Sequence, residues 1–482
     1  MSWVRQLANR LTGRASDADV RALSLSTVLY NQQGWQYRKV QSHELREGDY
    51  EVVSVSIDCA PQGLPGLWYA LDGPGGQTEQ AFLVPVTYMR KGALRQFDMR
   101  GPGGEALPVI GRSEYTALMS GLLTYQLEDS PTPGTEAALL EAALETILDG
   151  DPEAAVAASR ELLTNGTVGG RPVLDPSRVN KWARELLTDL AKVWVLFALV
   201  PGEYAGRRVV LKYSHHAKQS ADDASARRRW LGAAGLSTLP VKFTLSHPTG
   251  AASHHLEVTV PGDLSCSSLR MPGPVEDRNT TDSSDAGVVH GAASYEVEPD
   301  KPAFVEFTVP WAGMRATTWL VSSVTFAVTF LGLLLPGAQQ ALLDAADGAG
   351  AVLLAVPAVA VAFAAGRRES EVESVLLGPL RVWVTTCALS LFACACSIVG
   401  VLHDPFRTWL WAIGALASMT VALVLCAREA RLILGRWWEP LVGLTAAFVL
   451  FTVELRVGDT WPRAWSEQLV AWSWVLCRWL VP

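Results

Sequence analysis

"VEFTVPWAGMRATTWLVSSVTFAVTFLGLLL", residues 305–335, passes from a strand-like alternation into a long apolar run almost without pause. Val305, Phe307 and Val309 alternate with Glu306 and Thr308, the period of a half-buried strand, and Pro310 ends the pattern. From Thr317 to Leu335 the chain then has the length of about 20 apolar residues that a hydrocarbon core of about 30 Å demands. A folded β region therefore feeds a membrane helix within a few residues. That junction organises the rest of the chain.

Three further segments qualify as spans: Gly348 to Ala365, Leu380 to Leu402 and Phe406 to Cys426. Each must satisfy its own backbone hydrogen bonds in lipid, so each reads as a helix. The connection between the first two spans carries Asp344 and Asp347 but no basic residue. The next carries Arg367, Arg368 and Arg381, the third Arg407 alone, and the segment after the fourth span Arg428, Arg431 and Arg436. Basic connections stay in the cytoplasm, and this alternation places the region before residue 311 there. "LVGLTAAFVLFTV" (Leu441–Val453) and "LVAWSWVLCRWLV" (Leu469–Val481) give six crossings if both traverse and four if they lie in the interface. Twelve of the 18 tryptophans lie beyond residue 310, as an interfacial aromatic belt requires.

The net charge of −8 resides entirely in residues 1–310, which argues against nucleic acid as a partner. Seven cysteines form no paired spacing, an arrangement that suits a reducing compartment. "MSWVRQLANRLTGRAS" lacks an apolar core of signal-peptide length. Trp3, Val4, Leu7 and Leu11 share a helical face there, with Arg5, Arg10 and Arg14 available to lipid headgroups or to the folded region.

The expected organisation is an amphipathic helix over 1–19, a β-rich domain over 20–110 and a helical segment over 111–192. An immunoglobulin-like antiparallel β-sandwich over 193–310 follows, then a four-helix membrane domain over 311–436 and a Trp-rich membrane hairpin or interfacial segment over 437–482. The fold class is thus α+β with a helical membrane domain of four to six spans. "YEVVSVSID" sets Val53, Val55 and Ile57 on one face of a strand. Asp151-Pro152 and Asp175-Pro176 each read as an N-cap followed by proline in the first turn. Val179, Trp182, Ala183, Leu186, Leu187 and Leu190 form an apolar helical stripe.

Signs of chemistry are sparse. No HExxH, GxSxG, GxGxxG or GxxxxGK[ST] motif occurs, so no enzymatic activity, cofactor or catalytic residue is expected. His215, His216, His247, His254 and His255 cluster in sequence, but adjacent strand residues point to opposite faces and each pair offers one ligand per face. Solvated histidines at strand ends are the reading preferred over a metal site. The spans carry Thr325, Thr329, Thr385, Thr386, Ser390, Ser418 and Thr420 but no ionisable residue in their cores. Gly414 and Ser418 form a small-xxx-small pair that permits close helix contact, within a subunit or in a homo-oligomer.

The segments Val84–Glu114, "RRVVLKYS" (207–214) and Ala351–Val382 together resemble uncharacterised actinobacterial multi-span membrane proteins with a cytoplasmic N-terminal region. The resemblance implies a topology and supplies no functional residues. The leading expectation is a non-enzymatic scaffold or sensor, partnered by the bilayer and a cytoplasmic protein. The alternative is an oligomeric pore or membrane-perturbing effector gated by the cytoplasmic domains.

Overall fold

The computed structural model describes residues 16–434, apart from 47, 49, 73–77, 93–94, 133–135, 219–224, 246–250, 273–287, 295–301, 336, 338–358, 360–369 and 399–405. A helix, α1 (Asp17–Tyr30), comes first, capped by Ser16 in a reciprocal pair of hydrogen bonds with Asp19. The expected amphipathic helix over 1–19 lies largely outside the described residues. The first part of the stretch read as β-rich is helical instead, its buried side being Ala22, Leu25, Val28 and Leu29.

Five strands follow: β1 (Gln36–Leu45), β2 (Tyr50–Cys59), β3 (Trp68–Asp72), β4 (Thr78–Arg90) and β5 (Arg95–Arg100). Next come α2 (Arg112–Gln126), α3 (Ala137–Asp149) and α4 (Pro152–Asn165), with Asp151 capping α4 as its sequence predicts. After the short pair β6 (Thr167–Val168) and β7 (Arg171–Pro172), Asp175-Pro176 opens only a single 3₁₀ turn. The helix proper, α5 (Lys181–Leu190), starts five residues later under Asn180 and buries Ala183, Leu186, Leu187 and Leu190. Then come β8 (Val193–Pro201), β9 (Val209–Lys218), α6 (Ala226–Ala233), β10 (Leu239–Phe243), β11 (Ser253–Thr259), β12 (Ser265–Arg270), β13 (Val288–Ser294) and β14 (Ala303–Thr308).

The largest sheet has the order β13-β11-β1-β2-β9-β5. Two three-stranded sheets, β3-β4-β8 and β10-β14-β12, pack on it. Sheets do stack face to face, but 193–310 does not close on itself as an antiparallel sandwich. The β1–β2 hairpin is inserted between β11 and β9, and β1 runs parallel to β11. β8 likewise pairs with β4 from before residue 111. Without the hairpin, β9 and β11 would each present a row of unpaired backbone groups.

Three cores result. Helices α1 to α5 cover one face of β3-β4-β8, and the other face of that sheet meets β2 and β9 through Val53, Val55, Ile57, Phe82, Val84 and Val200. The third core lies between β10-β14-β12 and β11, and it is completed by helices that continue into the membrane part.

Those helices are α7 (Met314–Leu334), α8 (Glu371–Ile398) and α9 (Phe406–Leu434). Three helices among the described residues are long and apolar enough to cross a membrane. The expected spans Gly348–Ala365, Leu441–Val453 and Leu469–Val481 lie outside the described residues, save for Val359 alone. α8 begins nine residues before the expected Leu380, because Ser370 and Glu373 cap each other's backbone and Val372, Leu376, Leu377 and Leu380 make a buried stripe. The N-terminal ends of α7 and α8 and the C-terminal part of α9 all enter the third core. α7 and α8 therefore run parallel, with α9 antiparallel to both.

Candidate functional site

One face of the six-stranded sheet is apolar along β2, where Val53, Val55, Ile57 and Cys59 point inward. The neighbouring strand inverts that chemistry. In β1 the residues opposite Ile57, Val55 and Val53 are Lys39, Gln41 and His43, and all three expose 1% or less of their surface. On the other side of β1, Lys39 stands opposite His254, which is equally buried. A row of polar side chains thus runs through the interior strands of the sheet.

The topology explains why it lies there. β1 is the seam strand: to one side the large sheet faces β3-β4-β8, to the other it faces β10-β14-β12. Gln36 Nε2 reaches the Pro85 carbonyl in β4 at 3.5 Å, and Gln41 Nε2 donates to the Thr244 carbonyl just beyond β10 at 2.9 Å. Polar groups on the seam satisfy the backbone of both facing sheets where their apolar surfaces part.

Gln41 Nε2 also lies 2.6 Å from His43 Nε2. His43 Nδ1 sits 3.1 Å from Glu51 Oε2, close enough for electrostatic attraction although its angle falls short of a hydrogen bond. With the carboxylate on the Nδ1 side, the proton belongs on Nδ1 and Nε2 accepts from the Gln41 amide. The Phe243 ring closes the site edge-on, 4.9 Å from the imidazole. Burial lowers the Lys39 ammonium pKa from 10.5 to about 7. Burial, helped by His43, likewise lowers His215 from 6.5 to about 4. The lysine therefore titrates near neutrality, and His215 remains uncharged until well into acid.

The histidines singled out in the sequence separate. His215 and His254 are on the inner face, His216 and His255 on the outer, and His247 lies outside the described residues. β9 and β11 stand three strand spacings apart, about 14 Å, with the hairpin between them. Among the described residues no group of three His, Cys, Asp or Glu side chains could hold a metal ion. His43, which is closest to a charged relay, has no signal in the sequence because the inward positions of its strand are polar. The nearest thing to a base, His43 Nε2, faces the Gln41 amide rather than a nucleophile.

No protein-family model matches the chain, and no curated protein matches it. At the tip of the hairpin, the Glu371 N–H donates to the Gly48 carbonyl at 3.0 Å, and Gly48 forms an isolated parallel bridge with Ser370. The hairpin carrying Lys39, His43 and Glu51 thus abuts the first residues of α8.

A second tie is Arg315, in the first turn of α7 and only 1% exposed. Its Nη2–H donates to the Leu425 carbonyl of α9 at 2.6 Å, and its guanidinium lies 5.0 Å from the centre of the Trp311 ring. Gly235, beyond α6, adopts φ +70, and a side chain there would collide with the same guanidinium.

Within the bundle the hydroxyls mostly serve their own helices. Thr329 donates to the Thr325 carbonyl, Thr386 to Val382, Ser390 to Thr386, Thr420 to Leu416 and Ser418 to Gly414. Gly414 packs against Thr329 of α7 and Ser390 and Cys394 of α8, inside one chain. The ring of Trp411 lies on Gly332, with its Nε1–H donating to Ser397 at 2.9 Å.

Proposed function

We propose that this protein is a non-enzymatic scaffold or sensor of the cell membrane, whose folded region lies on the cytoplasmic side. The observation that carries the reading is the third core. Val305 and Phe307 of β14 and Leu376, Leu377 and Leu380 of α8 are fully buried in one apolar cluster that also takes in Leu425 of α9. A protein that only anchored an independent domain would need no such continuity, since a linker serves that purpose. Shared burial means that a shift of any one helix must disturb the sheet, because packed cores have little slack.

The cytoplasmic placement rests on the alternation of arginine-bearing connections. The bundle's direction agrees with it: Arg381 of α8 and Arg428 of α9 belong to the ends nearest the folded region. An oligomeric pore draws less support, because the hydroxyls that would line it bond within their helices and Gly414 is occupied inside the subunit.

Two measurements test the reading. Protease added to sealed cells should spare the region before residue 311 and digest it in inverted vesicles; the reverse pattern removes the cytoplasmic assignment. Affinity capture from native membranes should return a stoichiometric soluble partner with the wild-type protein. Repeated capture of the protein alone would leave the scaffold reading without a function.

A further inference from the structure

The helix α6, "ARRRWLGA", belongs to the folded region in sequence but sits beside a membrane helix in space. It packs on α8: Trp230 lies 5.0 Å from Trp383, centre to centre, and Gly232 lies directly under Leu376. Its Arg227, Arg228 and Arg229 are exposed, and Ser225 caps its start.

The depth of this helix relative to a bilayer can be read from the exposed apolar residues. On α7 a stripe of exposed side chains, Leu320, Val324 and Leu331, begins one residue after Trp319. On α8 a corresponding stripe of Val382, Leu389 and Phe392 begins beside Trp383. Spacings of three, four and seven residues keep each stripe on one face of its helix, as contact with lipid requires. Trp319 and Trp383 therefore mark the level at which hydrocarbon gives way to headgroups, where tryptophan is favoured. Because Trp230 stacks against Trp383, the arginines on the exposed side of α6 stand at headgroup height.

The geometry points to α6 as a docking surface for anionic phospholipid headgroups in the leaflet on the side of the folded region, with Arg228 and Arg229 as the principal contacts. Guanidinium groups suit this partner, since they bind phosphate oxygens through paired N–H donors and keep their charge at every relevant pH. A surface lysine or arginine near an anionic leaflet strengthens association roughly fivefold. Two such residues at one site thus give a selectivity of up to about twenty-fivefold over a zwitterionic lipid. Through Gly232 and Leu376, a headgroup held by α6 would also press on the core shared with the membrane helices.

The test uses the full-length protein reconstituted in phosphatidylcholine bilayers doped with spin-labelled phosphatidylglycerol or spin-labelled phosphatidylcholine. The fraction of label immobilised by protein gives the relative association of the two lipids. Wild type should favour phosphatidylglycerol, R228Q/R229Q should lose at least fivefold of that preference, and R228K/R229K should keep most of it. Added inorganic phosphate should leave the preference unchanged; displacement by phosphate would assign the site to a free anion and overturn the lipid reading. Equal immobilisation of both lipids by wild type, or an undiminished preference in R228Q/R229Q, would also overturn it. If the glutamine variant fails to fold, the wild-type comparison and the lysine variant still decide.

Discussion

The two ends of the six-stranded sheet solve the same problem differently. Around β2 and β9, the inner face is covered by β3-β4-β8, and that sheet is covered in turn by α1 to α5. Everything needed to bury the apolar residues lies within the first 217 or so residues, as in a soluble protein. Around β11 the inner face meets β10-β14-β12, whose core is finished only by Met314, Val372, Leu376, Leu377, Leu380, Val421 and Leu425 from the membrane helices. One end of a continuous sheet is self-sufficient and the other is not. The lesson is that the membrane-proximal half is part of the membrane domain, whatever its strand content.

The harshest way to break this contrast is to remove the helices. A fragment ending at residue 310 should keep slow amide exchange in β2, β4, β8 and β9 and lose it in β10, β12 and β14. The exposed Val305, Phe307, Leu239, Val241 and Phe243 should also make it aggregate. Hydrogen exchange read by mass spectrometry would show this directly. Uniform protection across both ends would mean that the third core closes without the helices.

A single side chain sharpens the same contrast. Arg315 joins α7 to α9 through the Leu425 carbonyl and rests on Trp311, with almost no exposure. Arg315→Ala removes the charge-assisted bond to that carbonyl and the cation over the ring, and should cost about 2 kcal/mol. Lysine should rescue little of it, because an ammonium cannot span the acceptor and the ring as a planar guanidinium does. Faster exchange in residues 232–236 and at the start of α7, with β2 and β9 unchanged, is the expected signature in the full-length protein. Equal loosening of both ends would sink the idea that Arg315 is local to the joint.

The two ends also differed in how far their sequence could be read. β2 announces itself because its inward residues are Val53, Val55 and Ile57, and α4 because Asp151-Pro152 opens it. β1 was illegible: its inward positions are Lys39, Gln41 and His43, so the usual apolar alternation is absent, and only its place on the seam makes polar residues the right ones. The candidate site was hidden for that reason. The start of α8 was legible in principle. Ser370 followed three residues later by Glu373 is a capping signal, with an apolar stripe behind it, yet its acidic residues and the preceding arginines made it read as a loop. The insertion of the β1–β2 hairpin between β9 and β11 has no local signal, because it is decided by contacts far apart in the chain.

The gentlest probe is pH, and it acts on the strand that separates the two ends. Lys39 has a folded pKa of about 7 against 10.5 when exposed. Below pH 7 both folded and unfolded chains carry the proton, and the fold bears the full cost of a buried cation. Between 7 and 10.5 the unfolded chain binds a proton that the folded chain does not, so stability rises with pH across that window. The ceiling on this contribution is about 5 kcal/mol. Lys39→Met should gain less at neutral or lower pH, about 2 kcal/mol, because Gln41, His43 and His254 remain around it. The variant should also lack the rise, so that wild type overtakes it part-way through the window between 7 and 10.5. His215 supplies an internal check: its pKa of about 4 against 6.5 makes stability fall as pH drops from 6.5 towards 4. His215→Gln should flatten only that acid limb, which lies in a different window from the lysine. Thermal unfolding of the reconstituted full-length protein across both windows separates the two. An unchanged alkaline rise in Lys39→Met would show that the lysine is not the group that titrates, and the seam would then be polar for packing alone.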